Sequence, residues 1–131
     1  MQRLEEIEQA KVVRWSHKRP VRALFPGLAW LFHPANGGKR SAFTGAQMKA
    51  LGVKKGVLDL LLPVCVNDST GLAIEMKHVD GKESAEQIDW MAHLESQGWS
   101  VRTCYSGEEA RRAICTYFGV SPDAAPPLDV A

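Results

Sequence analysis

The chain has 131 residues, 45% of them hydrophobic and 24% charged, with a formal net charge of +1. That composition supports one domain with a real core and is too apolar for a disordered chain. No apolar run reaches the ~18 residues of a membrane span, and Met1 to Ala10 are polar and helical in pattern, which is not a signal peptide.

Cys65, Cys104 and Cys115 are odd in number, far apart, and form no C-x-x-C pair. They read as small buried hydrophobes of a reducing, cytoplasmic compartment rather than as zinc ligands or a redox pair. The small net charge hides an asymmetry. Residues 1–55 hold eleven Lys/Arg against three Glu, and residues 56–131 hold five against twelve Asp/Glu. A basic part suits a polyanion and an acidic part suits a divalent cation, although two ordinary solvated surfaces give the same count.

In chain order, Leu4, Ile7, Ala10 and Val13 recur at helical spacing with Trp15 close by, so residues 3–18 read as a helix that Pro20 ends. Arg14, His17, Lys18, Arg19 and Arg22 cluster at its end, more cations than a helix C-terminus needs. Gly27 to His33 reads as a strand or short extended segment. Pro34 to Arg40 is a loop, because Asn-Gly and Gly-Gly favour positive φ. Ser41 to Leu51 reads as a short helix stopped by Gly52.

Val57–Leu62 and Leu72–Lys77 are short apolar runs around the turn cluster Asn67–Gly71, which predicts a hairpin. Ser84 and Gln87 have capping-box spacing and open a helix to Gly98, with Ile88, Met91 and Leu94 on one stripe. Trp99–Tyr105 reads as a third strand. Ser106 and Glu109 repeat the box before a last helix ending near Phe118. Residues 1–118 therefore read as one α/β domain and residues 119–131, rich in proline, as a loose tail.

Two charges do not belong in such strands. Asp59 sits in Val-Leu-Asp-Leu-Leu-Leu and Glu75 in Leu-Ala-Ile-Glu-Met-Lys. A lone buried carboxylate is costly unless it is paired or binds metal. With a turn at 67–71 the two can face each other across the hairpin, and a divalent cation would relieve their repulsion. Lys77 lies two residues after Glu75 and so shares its face. The alternative is a cross-strand salt bridge on a solvated sheet face. The apolar context weighs against that.

A strand Asp followed by Glu-x-Lys across a turn resembles the PD-(D/E)XK nucleases. Asn36-Gly37-Gly38-Lys39-Arg40, Gly52 to Leu60, Ile74-Glu75-Met76-Lys77, Ser84-x-x-Gln87-x-x-Trp90 and Gly98-Trp99 follow in order. Together they resemble the VRR-NUC family, the virus-type replication–repair nucleases. The resemblance covers residues from about 5 to 118 and implies a central mixed β-sheet flanked by helices. It departs from the superfamily at Leu58, where proline is usual.

The resemblance implies a Mg²⁺- or Mn²⁺-dependent nuclease acting on DNA phosphodiesters. Asp59, Glu75 and the backbone carbonyl of Met76 would hold the metal, and Lys77 would be the catalytic lysine. A family glutamate in the first helix fits Glu5 best, with Glu6 and Glu8 open. Gln87 matches the family's helix glutamine near the active site while also serving the capping box. An all-oxygen ligand set favours Mg²⁺ or Mn²⁺ over zinc. Asn36, Gly37, Gly38, Lys39, Arg40, Lys54 and Lys55 are the expected phosphate contacts.

His17, His33, His78 and His93 show no ligand spacing and read as surface or loop groups. Trp15, Trp30, Trp90 and Trp99 read as core or interface residues. Stand-alone VRR-NUC proteins of phage and bacteria are dimeric and cleave Holliday junctions, so the resemblance favours a homodimeric junction resolvase. Trp15 and the Ala29–Phe32 stretch are the candidate dimer face. The alternatives are a monomeric flap- or nick-directed or unspecific nuclease, and a non-catalytic DNA-binding accessory protein.

Overall fold

The two apolar runs around the 67–71 turn pair as their pattern requires. In the computed structural model, which describes residues 4–34 and 44–131, β1 (Leu60–Leu62) and β2 (Leu72–Met76) are antiparallel with Leu60 opposite Ile74. β3 (Ser100–Cys104) joins the other edge of β2 in parallel, giving the order β1-β2-β3. Parallel neighbours need a crossover, and α4 (Ala85–Ser96) supplies it. Around this mixed sheet lie α1 (Leu4–Ser16), α2 (Arg19–Leu24), α3 (Gly45–Ala50) and α5 (Gly107–Tyr117). The expected α/β architecture is present.

β2 is central, and all five of its residues are buried. Alternate side chains therefore serve two cores. Leu72, Ile74 and Met76 join Val12 and Trp15 of α1 and Ala110, Ile114 and Cys115 of α5. Ala73 faces the other way, against Leu58 and Leu94, with Trp90, Met91, Trp99 and Val101 packed around them. Glu75 points to this second side, the side of α4. Burial on both faces explains why β2 reads as a continuous apolar run and why its one carboxylate stands out.

Several expectations give way to tertiary packing. The first helix ends at Ser16, before Pro20, but Pro20 then opens a second helix, sitting in the first turn of α2, where its missing N–H costs nothing. The Gly27–His33 segment is a 3-10 turn (Pro26–Trp30) followed by a single antiparallel bridge, Phe32 to Leu61, rather than a strand. On α1 the buried row is Val12, Trp15 and Ser16, while Leu4 and Ile7 are exposed, because the first turn overhangs the sheet. Ile88 is likewise exposed on α4. Ser106 caps α5 by accepting from the Glu109 N–H, but the Glu109 carboxylate reaches the Tyr105 N–H, so no reciprocal box forms.

Trp15 is 0% exposed and is therefore removed from the candidate dimer face, whereas Trp30 (68%) and Phe32 remain outside. Cys104 and Cys115 are buried as expected, and burial pushes the Cys104 thiol up to about 11. Cys65 is exposed.

The C-terminal segment is not loose. Val120, Ala125, Leu128 and Val130 pack on the first core. The Trp15 indole N–H donates to the Pro126 carbonyl at 3.0 Å. Arg111, buried beside Glu108, donates to the carbonyls of Pro122 and Pro126 at 3.0 and 3.2 Å. Deleting residues 120–131 strands these buried donors, each at about 1–3 kcal/mol. Urea unfolding should show a loss of at least ~3 kcal/mol; an unchanged midpoint would contradict this packing.

Candidate active site

The hairpin register sets the site. Continuing the ladder one step past Leu60–Ile74 places Asp59 opposite Glu75, at the point where the chain bends into β1. Asp59 Oδ2 accepts the Met76 N–H at 2.8 Å, which ties its carboxylate to the neighbouring strand. Met76 itself turns its side chain into the first core, so it offers the site only its main chain.

Glu75 is 3% exposed. Its Oε2 accepts from Gln87 Nε2 at 2.6 Å and lies 3.8 Å from the Lys77 ammonium, while its buried Oε1 meets no fixed donor among the described residues. Burial, with the facing Asp59 carboxylate second, pushes the Glu75 carboxyl up to about 8. Asp59 is also raised, mainly by burial, against the opposing pull of the Met76 N–H. Two carboxyls that both resist ionisation are a destabilising arrangement for the protein alone.

Lys77 shares the face of Glu75, as the i, i+2 spacing requires. Its Nζ donates to the Lys82 carbonyl and to Gln87 Oε1, both at 3.0 Å. Gln87 links the whole group. Its Oε1 accepts from the Ser84 N–H and from Lys77, and its Nε2 serves Glu75. It does this from the third position of α4, inside a complete capping box with Ser84. The first turn of that helix is therefore both a cap and a scaffold for the acidic pair.

Lys54 and Lys55 are exposed in the loop entering β1, and Gly56 carries this loop against the first turn of α4. A Cβ at Gly56 would lie 2.6 Å from the Glu86 Cβ and 2.8 Å from the Gln87 nitrogen, and φ there is +80°. Gly56→Ala should therefore cost about 2 kcal/mol or more by thermal or chemical unfolding. An unchanged midpoint would show that this close approach has slack.

Not every anticipated residue is brought together. Asn36, Gly37, Gly38, Lys39 and Arg40, and the start of the helix expected from Ser41, lie outside the described residues. Glu8 is committed elsewhere: its carboxylate accepts from the Gly107 N–H at the start of α5 and pairs with Lys11. Glu5 is half-buried in the first turn of α1, whose Val12 and Trp15 pack on the sheet face opposite Glu75, and it makes no ion pair among the described residues. Among those residues, no three Asp, Glu, His or Cys side chains gather into a metal-binding group.

One residue that the sequence left as a surface histidine does belong here. His33 places Nδ1 2.6 Å from the Asp59 carbonyl. Nothing local announces this contact, because it depends on the Phe32–Leu61 bridge.

The donor set suits a hard divalent cation. It consists of two facing carboxyls, one of them with a buried oxygen that meets no fixed donor among the described residues, and the main-chain carbonyl of Met76. Mg²⁺ commonly takes only one or two carboxylates and completes its shell with water and substrate phosphate, so a pair is sufficient.

Comparisons with known proteins bear on the family and the fold. The family model of the VRR-NUC domain matches residues 4–108. A solved structure named "VRR_NUC domain protein" shares the fold with a TM-score of 0.71 at 22% identity, covering 92% of this chain and 93% of that one. No curated protein matches the chain. The chain belongs to the VRR-NUC family. Membership implies a nuclease of the PD-(D/E)XK type, a hydrolase with DNA as its substrate. No helix among the described residues is long and apolar enough to cross a membrane.

Proposed function

We propose that this protein is a Mg²⁺- or Mn²⁺-dependent, structure-specific DNA endonuclease that works as a homodimer on four-way junctions. The observation that carries the reading is Glu75: a buried carboxylate with one oxygen that meets no fixed donor among the described residues, facing a second carboxylate and flanked by a fixed ammonium. Asp59, Glu75 and the Met76 carbonyl are the residues that would hold the cation, with Glu5 the further ligand that the family resemblance suggests. When bound, the ion supplies Lewis-acid polarisation of the phosphoryl group and a more acidic water.

The chain's own residues do the rest. Lys77, held by Lys82 and Gln87, presents a fixed positive charge to the negative charge that grows on the phosphate in the transition state. Gln87 keeps Glu75 and Lys77 in one orientation. Lys54 and Lys55, with Asn36 to Arg40, take the flanking DNA phosphates.

Junction resolution needs two incisions related by a two-fold axis, and the described residues form one Asp–Glu–Lys constellation, so two copies are required. Exposed Trp30 and Phe32 offer apolar surface for that contact.

The test compares labelled four-way junction, flap and linear duplex as substrates, with sedimentation of the protein alone. Paired symmetrical nicks on the junction by a dimer are expected. Preferential cutting of flaps by a monomer would keep the metal site and overturn the resolvase assignment.

A further inference from the structure

We propose that His33 is a positioning residue for Asp59, holding the bend that presents the carboxylate to the metal; the inference rests on the nuclease reading above. Phe32 and Leu61 exchange both main-chain hydrogen bonds, Phe32 N to Leu61 O at 3.0 Å and Leu61 N to Phe32 O at 2.9 Å. In an antiparallel ladder the next such pair is two residues on, which here sets position 34 against Asp59. The Asp59 carbonyl should then accept the N–H of residue 34. That residue is Pro34, which has no N–H, and the ladder stops at a single bridge.

The His33 side chain fills the gap. Its Nδ1 is 2.6 Å from the Asp59 carbonyl, and because a carbonyl only accepts, Nδ1 is the donor. The carbonyl and carboxylate of Asp59 are thus each tied down, one by His33 and the other by the Met76 N–H at 2.8 Å. Fixing both ends of the residue fixes the direction of the carboxylate at a point where regular strand pairing has not begun. Partners that orient metal ligands in this way are typically worth ~10–100-fold in metal affinity.

The test is Mn²⁺ binding by titration calorimetry, read beside cleavage rates, on His33→Ala, His33→Asn and His33→Gln. An asparagine amide nitrogen falls near the position of Nδ1; that of glutamine falls near Nε2. His33→Ala should weaken Mn²⁺ binding about 10-fold, slowing cleavage at limiting metal and recovering at saturating metal. His33→Asn should stay within about 3-fold of the wild type while His33→Gln behaves like His33→Ala. Adding Pro34→Ala to His33→Ala restores a main-chain donor and should recover affinity. If His33→Ala fails to fold, the comparison of Asn with Gln decides alone. Wild-type affinity in His33→Ala, or equal behaviour of Asn and Gln, overturns the inference but leaves the nuclease intact. A wild-type protein that neither binds Mn²⁺ nor cuts DNA overturns both.

Discussion

Replacing Glu75 with Gln is expected to abolish metal-dependent DNA cleavage and, in the metal-free protein, to raise the unfolding midpoint. Both effects come from one feature. Glu75 is buried and Asp59 faces it, so its carboxyl is pushed up to about 8. A folded-state value raised above the unfolded 4.5 favours folding fully below about pH 4.5, and that contribution is lost as pH rises through about 8. The metal-free wild type should therefore weaken between those limits, and Glu75→Gln should weaken less, keeping only the smaller contribution of the raised Asp59 carboxyl. The neutral amide keeps the shape and the Gln87 contact but removes the buried charge, a gain of about 1–3 kcal/mol near pH 8. Cleavage loses several kcal/mol of charge stabilisation, roughly 10³-fold or more. Calorimetric unfolding without metal, beside single-turnover cleavage, reads both. A variant less stable than the wild type at alkaline pH, or one that still cuts, would contradict this placement of strain at the active site.

Lys77→Met should slow single-turnover cleavage by ~10²–10³-fold at saturating metal, while binding to DNA changes little. The methionine keeps most of the stem and removes the ammonium held against Gln87 and Lys82. Folding should change by only about 1 kcal/mol, because Gln87 Oε1 retains the Ser84 N–H. Lys77→Arg should not rescue the rate, because a planar guanidinium places its charge and donors differently from the compact ammonium held by Lys82 and Gln87. Cleavage within ten-fold of the wild type in Lys77→Met would place the lysine outside the chemistry.

Much of this site was legible because its rules are local. The two apolar runs and the turn cluster between them bring Asp59 and Glu75 within reach of each other, and the register that sets them opposite comes from the pairing of Leu60 with Ile74. Strand alternation then puts Lys77 beside Glu75, and capping-box spacing puts Gln87 at the start of α4. What escaped was decided by distant contacts. His33 reaches Asp59 only because Phe32 pairs with Leu61. The proline-rich end looked loose because its ordering comes from carbonyls offered to Trp15 and Arg111, and carbonyls leave no mark in a sequence. Pro20 was read as a stop because proline breaks a helix interior, yet the same residue is well suited to a first turn. Glu5 enters by resemblance alone, because nothing in its own turn of α1 marks it out from Glu6.

The decisive experiment is a cleavage time course on an end-labelled four-way DNA junction, in Mn²⁺ and after chelation, with Asp59→Ala alongside the wild type. Cleavage by the wild type in Mn²⁺ that stops on chelation and is absent in Asp59→Ala is the predicted result. Cleavage that persists in the chelator or in Asp59→Ala, or no cleavage by a folded protein that binds the junction, would contradict a metal-dependent nuclease built on Asp59, Glu75 and Lys77.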